Sequence, residues 1–249
     1  AGCLHGRVIR STVAHGRIRS IRFSGDVDWR PYTIVRAGDI PGRNVVPMIR
    51  EDQPFLAGDV VKFIGEPVLL VAHADPAALH GVERHIEIEY ETLPAVLSLD
   101  DALALKARLF GDDNVFYRAP ISKGDPDAIL ASGACRVIER TYTTGHQEQL
   151  YLEPQNMTAY PPADGRVRVT GSLQCPYYVK PAVEAALGMP VDVEQSPTGG
   201  AFGGKEDYPS LLGAWAALLA WRSGKPVRMV FERAEDFSFT TKRHPSRTR

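Results

Sequence analysis

Alternating apolar and polar positions predict short strands along the first 100 residues of the chain. In each of these runs the apolar or β-branched side chains recur at every second position or form a short continuous block. The predicted strands span residues 5–11, 17–23, 59–65, 67–74 and 85–91. In the last strand three glutamates face away from the apolar side chains, which predicts a solvated acidic face rather than a metal site. Between the last two strands, Asp75 and Pro76 predict the start of a helix that runs to about Arg84.

The second half of the chain mixes strands with helices. Its predicted strands span residues 135–144, 156–162, 166–174, 191–196 and 227–232. One helix is predicted over 180–188, where proline precedes and glycine ends the run, and a second over 208–222, which is apolar on all sides and therefore buried. The pattern weakens between these halves, where turn residues accumulate. We therefore predict an α+β fold in two domains, residues 1–105 and 127–249, joined by a linker over 106–126.

Composition narrows the class of protein. The 249 residues carry a net charge of −1, which argues against a nucleic-acid binder, and the 24% charged residues are usual for a globular protein. The three cysteines are far apart and form no CxxC pair, which predicts buried thiols in a reducing compartment such as the cytoplasm. The seven histidines lack the spacing of zinc ligands. No apolar run is long enough to cross a bilayer.

A glycine-rich loop, SPTGGAFGGKEDYP over residues 196–209, separates the last predicted helix from the strand before it. Gly199, Gly204 and Lys205 fit the GxxxxGK pattern of a phosphate-binding loop. However, Glu206 occupies the position where such a loop offers a hydroxyl to Mg²⁺, and this argues against a nucleoside triphosphate. The pattern leaves two interpretations open. The loop is either a tight crossover or a cradle for an anion or cofactor.

A second segment, TTGHQEQLYLEP over residues 143–154, is unusually polar for a chain leaving a strand. Its polar side chains are Gln147, Glu148, Gln149 and Glu153. By itself this segment could be a hydrogen-bonded loop without a ligand. Its combination with the glycine-rich loop about 50 residues later is more specific.

GHQEQLYLEP followed by GGAFGGKE resembles the molybdenum-cofactor subunit of the xanthine dehydrogenase/aldehyde oxidase family. The runs GRVIRSTVAHGRIRSI, AGDIPGRN, DQPFLAGDVVKFIGEPVLLVAHADPAAL and IEIEYETLPAV are similar to the α/β hammerhead domain of that family. The resemblance covers nearly all 249 residues. It implies an N-terminal α/β hammerhead-like domain followed by a partial α+β molybdopterin-binding domain.

The resemblance also implies a chemistry. The cofactor would be molybdenum-molybdopterin, in its dinucleotide form, held without a direct protein ligand to the metal. The reaction would hydroxylate a purine, another N-heterocycle or an aldehyde with oxygen from water, and electrons would leave to Fe–S clusters and FAD on partner domains or subunits. A non-catalytic scaffold with the same fold is the alternative.

Particular residues acquire expected roles from this resemblance. Gln147 would donate a hydrogen bond to the molybdenum oxo group, and Glu206 would face the substrate, which favours a purine or related N-heterocycle. The segment expected to pass beside the metal and pterin consists of Gly200, Ala201, Phe202 and Gly203. Ala201 and His146 depart from the family pattern, since glycine is commoner at both positions.

The resemblance places the general-base glutamate and further pterin-binding segments outside these 249 residues. We therefore do not assign that role to Glu148, Glu153 or Glu206. The isolated chain is expected to be catalytically inactive and to bind the cofactor weakly or not at all. Its expected partners are the rest of the molybdenum subunit and the Fe–S and FAD subunits.

Overall fold

A computed structural model describes residues 2–249 and divides them into two compact units. The first unit contains the described residues up to Leu93 together with Glu148–Thr241. The second unit contains Pro94–Gln147 and Lys242–Arg249. Each unit therefore combines stretches that are distant in the sequence. None of the helices within residues 2–249 has the length and apolar character needed to cross a membrane.

The first unit holds most of the regular structure. Its strands are β1 (Leu4–Arg10), β2 (Gly16–Phe23), β3 (Thr33–Arg36), β4 (Val60–Val61), β5 (Pro67–His73), β6 (Ile86–Thr92), β8 (Asn156–Ala163), β9 (Arg166–Gly171), β10 (Val191–Gln195) and β11 (Val227–Val230). Its α-helices are α3 (Pro176–Leu187), α4 (Tyr208–Ser223) and α5 (Arg233–Phe239). The second unit holds α1 (Leu99–Leu103), α2 (Pro126–Ala131), β7 (Tyr142–Thr144) and β12 (Ser246–Thr248).

A seven-stranded sheet with the order β10-β9-β8-β11-β1-β5-β3 organises the first unit. Strand β1 runs parallel to β11, with Leu4 opposite Val227, and antiparallel to β5. Strands from both predicted domains thus share one sheet, and the division around residues 106–126 stays a prediction. A separate three-stranded sheet has the order β4-β2-β6.

The acidic face predicted on β6 pairs with the neighbouring strand β2. Arg22 Nε lies 3.2 Å from Glu87, and Ser20 donates a hydrogen bond of 2.9 Å to Glu89. Arg19 binds Glu91. The charged side chains are all exposed, so the row is a solvated ladder, as the alternation predicted.

Helix α4 lies at the centre of the core and is buried continuously from Tyr208 to Ala220. It packs against α3 and strand β8, and the indole N–H of Trp215 donates to the carbonyl of Phe55 at 2.9 Å. The helix ends at Gly224, whose φ of 66° is the left-handed conformation that glycine adopts most easily. The prediction of a buried helix over 208–222 is confirmed.

Several sequence-based boundaries were wrong. The helix expected from Pro76 to Arg84 is instead two 3₁₀ helices, Pro76–Leu79 and Val82–His85, because the chain turns at Gly81 with φ 74°. Asp75 does cap the first of them, accepting a 2.9 Å hydrogen bond from the Ala77 N–H.

The strand predicted over 135–144 was too long. Only Tyr142–Thr144 forms a strand, β7, because only these residues pair with another strand, β12. Helix α3 begins four residues before the predicted start, at Pro176, and contains Pro181 in its interior. The cysteines were predicted to be buried, yet Cys3 and Cys135 are exposed and Cys175 is half-buried.

Candidate functional site

The glycine-rich loop connects β10 to α4 and turns through several left-handed backbone positions. Gly200 has φ 95°, Phe202 has φ 52° and Gly203 has φ 92°. The Phe202 ring is 78% exposed, so packing does not explain why a non-glycine residue adopts this conformation. The shape of the loop must therefore be imposed by bonds to its backbone and to Lys205.

Lys205 points into the protein rather than towards solvent. Its side chain is fully buried, and Nζ lies 2.9 Å from Glu153 Oε2 and 3.0 Å from Ser172 Oγ. The ammonium also sits over the Tyr151 ring, 4.8 Å from its centroid. Because a phosphate-loop lysine must reach the phosphates, this geometry excludes the triphosphate interpretation of the GxxxxGK pattern.

Glu153 forms hydrogen bonds both to the start of the loop and to the side chain of Lys205. Its Oε2 accepts hydrogen bonds from the Gly199 N–H at 2.8 Å and from Ser172 Oγ at 2.6 Å, and Oε1 accepts one from Asn156 at 3.1 Å. Burial by itself raises the pKa of the Glu153 carboxyl, but the bonds from Ser172, Gly199, Lys205 and Asn156 outweigh it and lower this pKa to about 2. Glu153 is therefore an ionised structural anchor.

Gln174 forms hydrogen bonds to the later part of the loop, at Gly203 and Lys205, and the sequence did not reveal this role. Its Oε1 accepts from the Gly203 N–H at 3.1 Å and from the Lys205 N–H at 3.2 Å. Its own N–H donates to the Lys205 carbonyl at 2.8 Å. The available signal was a polar residue between β9 and the proline that starts α3.

The middle of the loop keeps free hydrogen-bond donors. Among the described residues, no acceptor bonds the backbone N–H of Gly200, Ala201 or Phe202. A Cβ added at Gly203 would meet no atom within 4 Å, so the loop borders open space there. In the neighbouring polar segment, Gln149 Oε1 is buried without a partner in residues 2–249. Successive free N–H groups in a loop that borders open space suit a ligand rich in oxo and other acceptor groups.

These features also test whether the implied cofactor fits. A pterin with phosphate and oxo groups needs backbone donors and close approach. Gly200, Ala201 and Phe202 offer the free N–H groups, and the open space at Gly203 permits the close approach. Residues 2–249 contain no cluster of three or more His, Cys, Asp or Glu side chains that could hold a metal ion. The free backbone donors of the loop therefore fit an organic cofactor that is rich in acceptor groups.

The remaining predicted site residues lie in different surroundings. Glu206 ends the loop and is exposed. Gln147 belongs to the second unit, where its backbone N–H donates to the Arg243 carbonyl at 3.1 Å and its own carbonyl accepts the Arg243 N–H at 3.0 Å. Its side chain is exposed. The roles of Gln147, Glu206 and the loop residues stay predictions.

Known protein families match this fold, including the glycine-rich loop with its free backbone donors. The family model for the molybdopterin cofactor-binding domain matches residues 110–249. The model for the aldehyde oxidase and xanthine dehydrogenase a/b hammerhead domain matches residues 1–94. The chain therefore belongs to the family of molybdopterin-binding proteins that includes xanthine dehydrogenase and aldehyde oxidase.

Individual relatives agree with this assignment. The nicotinate dehydrogenase large molybdopterin subunit of Eubacterium barkeri is 34% identical over 97% of this chain and 57% of its own length. Xanthine dehydrogenase of Oryza sativa subsp. japonica is 32% identical over 97% of this chain and 18% of its own. The chain thus spans little more than half, or less, of the length of these relatives.

Solved structures show the same fold. Quinoline 2-oxidoreductase of Pseudomonas putida 86 matches with a TM-score of 0.86 and 28% identity, over 99% of this chain and 33% of its own. Aldehyde oxidoreductase of Desulfovibrio gigas matches with a TM-score of 0.86 and 23% identity, over 98% of this chain and 28% of its own. The second likeness concerns the fold alone.

Proposed function

We propose that this chain forms one wall of the molybdenum-molybdopterin site of a molybdenum hydroxylase. The observation that carries the proposal is the segment Gly200–Gly203, in which the N–H groups of its first three residues are free and Gly203 borders open space. A cofactor held there would supply the two-electron redox chemistry of the hydroxylation. The chain's own residues bind and orient: the backbone N–H groups donate to the cofactor's acceptors, and the absent Cβ atoms permit close approach.

The substrate class of the proposed enzyme is an electron-poor N-heterocycle, with aldehydes as the second possibility. Relatives named for nicotinate, xanthine and quinoline support a nitrogen heterocycle, and relatives named for aldehydes support the second. Glu206 would face the substrate, since its exposed carboxylate can accept a hydrogen bond from a ring N–H. Gln147 would donate a hydrogen bond from its amide to the oxo group of the bound cofactor.

Electrons would pass to Fe–S clusters and FAD on partner domains or subunits, and oxygen would come from water. Unpaired cysteines support a cytoplasmic location, because Cys3, Cys135 and Cys175 are all free thiols.

A catalytically silent scaffold is the competing function. It would bind no molybdenum, so the metal content of the protein separates the two.

The loop is tested with two glycines that share a backbone conformation. Gly203 has φ 92° and Gly165, in the turn between β8 and β9, has φ 74°; a Cβ meets nothing within 4 Å at either. Alanine therefore costs both sites a similar backbone strain, of about 1 kcal/mol, but only at Gly203 does it intrude on the cofactor border. We expect Gly203→Ala to lower molybdenum per chain in the purified enzyme by about tenfold or more, a loss of about 1.4 kcal/mol in binding.

The control Gly165→Ala should keep wild-type molybdenum content while losing similar thermal stability. Equal molybdenum in both variants would contradict the assignment of the loop to the cofactor. In the same enzyme, Glu206→Gln should raise KM for N-heterocycles and leave molybdenum content and aldehyde turnover unchanged. An unchanged KM would remove Glu206 from the substrate pocket.

A further inference from the structure

The glycine-rich loop rests on a single buried aromatic ring, that of Tyr151. Tyr151 has no exposed surface. A Cβ added at Gly204 would lie 2.4 Å from Tyr151 Cε1, and one added at Gly200 would lie 3.4 Å from Tyr151 Cβ. Lys205 Nζ lies 4.8 Å from the centroid of the same ring. Tyr151 therefore limits where the backbone can lie at Gly200 through its Cβ, and at Gly204 and Lys205 through its ring.

Helix α5 holds this ring through a buried carboxylate, that of Asp236. The Tyr151 hydroxyl donates a 2.6 Å hydrogen bond to Asp236 Oδ1, and Asp236 is only 1% exposed. Asp236 Oδ2 accepts the Gln155 N–H at 3.2 Å, and Arg233 Nη1 lies 3.8 Å from the same oxygen. Burial raises the pKa of Tyr151, and the bond to Asp236 raises it further, so the hydroxyl stays protonated as a donor.

Gln155 extends this network to the loop backbone. Its Nε2 donates to the Tyr151 hydroxyl at 3.0 Å and to the Gly204 carbonyl at 2.7 Å. One amide thus joins the Tyr151–Asp236 pair to a peptide group of the loop. Gln155 Oε1 is buried without a partner among the described residues, so its position depends on the two bonds that Nε2 donates. Hydrogen bonds in a low-dielectric interior also polarise one another, so the loss of one member weakens the others.

We infer that Asp236 is a positioning residue for the glycine-rich loop, acting through Tyr151 and Gln155 rather than by touching any ligand. The effect on loop conformation follows from the contacts of the chain alone. The consequence for cofactor retention rests on the proposed function. The family resemblance and the sequence pattern gave Asp236 no role, because its partners lie 81 and 85 residues away along the chain.

The test compares Asp236→Asn and Tyr151→Phe by amide hydrogen exchange. The reporting amides are the N–H groups of Gly203, Gly204 and Lys205, which are hydrogen-bonded within or beneath the loop. The reference amides belong to the buried helix α4. We expect the loop amides to exchange about tenfold faster in both variants while those of α4 keep their rates, because local opening needs less free energy than global unfolding.

Matched controls remove the same groups elsewhere in the first unit. Asp192→Asn breaks a surface pair with Arg166, and Tyr178→Phe removes a hydroxyl from a side chain that is 46% exposed. Neither should change the exchange of the loop amides. The inference would be overturned if the loop amides exchanged at the wild-type rate in both test variants. It would also be overturned if the loop and α4 amides were accelerated equally, because that would indicate a general loss of stability.

A second readout separates this inference from the proposed function. Molybdenum per chain in the purified enzyme should fall in Asp236→Asn, in step with the loosened loop. Faster loop exchange without any effect on molybdenum would uphold the positioning role and contradict the proposed cofactor role of the loop. Because Tyr151→Phe keeps the ring, it also serves if Asp236→Asn does not fold.

Discussion

The two units of the chain differ most in what they bury. The first unit packs one large cluster of apolar side chains around α4, including the fully buried Trp215, Leu212 and Leu218. Within the described part of the second unit, no hydrophobic side chain is buried. Large apolar residues there are instead exposed, with Ile121 at 96% and Leu97 at 75%. Burial of apolar surface is the main driving force of folding, so the two units depend on it to very different degrees.

This contrast in burial explains in which unit an ion pair can stabilise a particular conformation. In the first unit the surrounding core excludes water from Lys205, so its bond to Glu153 fixes the loop. In the second unit the pair between Arg247 and Asp100 is open to solvent, with side chains 44% and 70% exposed. Exposed pairs of this kind contribute little to stability. The same type of ion pair therefore has structural consequences in only one of the two units.

The largest expected difference concerns apolar truncation. Trp215→Ala in α4 should destabilise the protein by about 3–5 kcal/mol, because it opens a cavity and removes the hydrogen bond to Phe55. Phe116→Ala in the second unit removes a side chain that is 62% exposed, and it should change the free energy of unfolding by less than about 0.5 kcal/mol. Urea unfolding followed by circular dichroism measures both. Comparable losses would mean that the second unit also relies on a buried core.

The sequence predicted the strands of the first unit better than those of the second, and the difference in apolar burial explains why. Most strands of the first unit were predicted because their buried residues either alternate with exposed ones, as in β9, or form a continuous apolar block, as in β5. The all-round apolar run of α4 identified a buried helix. In the second unit the strand over 135–144 was overestimated. Its alternation is not matched by a buried face, and Ile138 is 72% exposed.

The candidate site was predicted only in part. The motif located the loop, but its GxxxxGK pattern could not show that Lys205 turns inward. That orientation depends on Glu153, which lies 52 residues earlier, and on Ser172, which lies 33 residues earlier. The supports Gln174, Tyr151 and Asp236 were missed for the same reason. Long-range hydrogen bonds between single side chains leave no periodic trace in a sequence.

A smaller effect is expected from adding one methyl group. A Cβ at Gly204 would lie 2.4 Å from the buried Tyr151 ring, so Gly204→Ala should destabilise the first unit by about 1–3 kcal/mol through overpacking. At Gly145 in the second unit a Cβ meets nothing within 4 Å, and Gly145→Ala should stay within about 0.5 kcal/mol of the wild type. Thermal unfolding compares the two variants directly. A neutral Gly204→Ala would show that the loop yields more easily than the contacts with Tyr151 suggest.

A further comparison concerns acid. Because the folded-state pKa of Glu153, about 2, lies below the ordinary value of 4.5, the folded protein binds fewer protons there than the unfolded chain. The stability that Glu153 contributes is therefore present above pH 4.5 and is lost as the pH falls from about 4.5 through about 2. Glu153→Gln should flatten the dependence of unfolding free energy on pH across this window and lower stability at neutral pH. Urea unfolding at several pH values measures both changes.

Asp100→Asn provides the matched comparison in the second unit. Its hydrogen bond and ion pair with Arg247 also lower the pKa of Asp100, but both side chains are exposed, so water and salt screen the interaction. The variant should therefore follow the wild-type pH profile closely, and added salt should erase any difference that remains. If Asp100→Asn flattened the profile as much as Glu153→Gln does, charge pairing in the second unit would be as protected from solvent as that beneath the loop, and the contrast between the two units would not extend to their electrostatics.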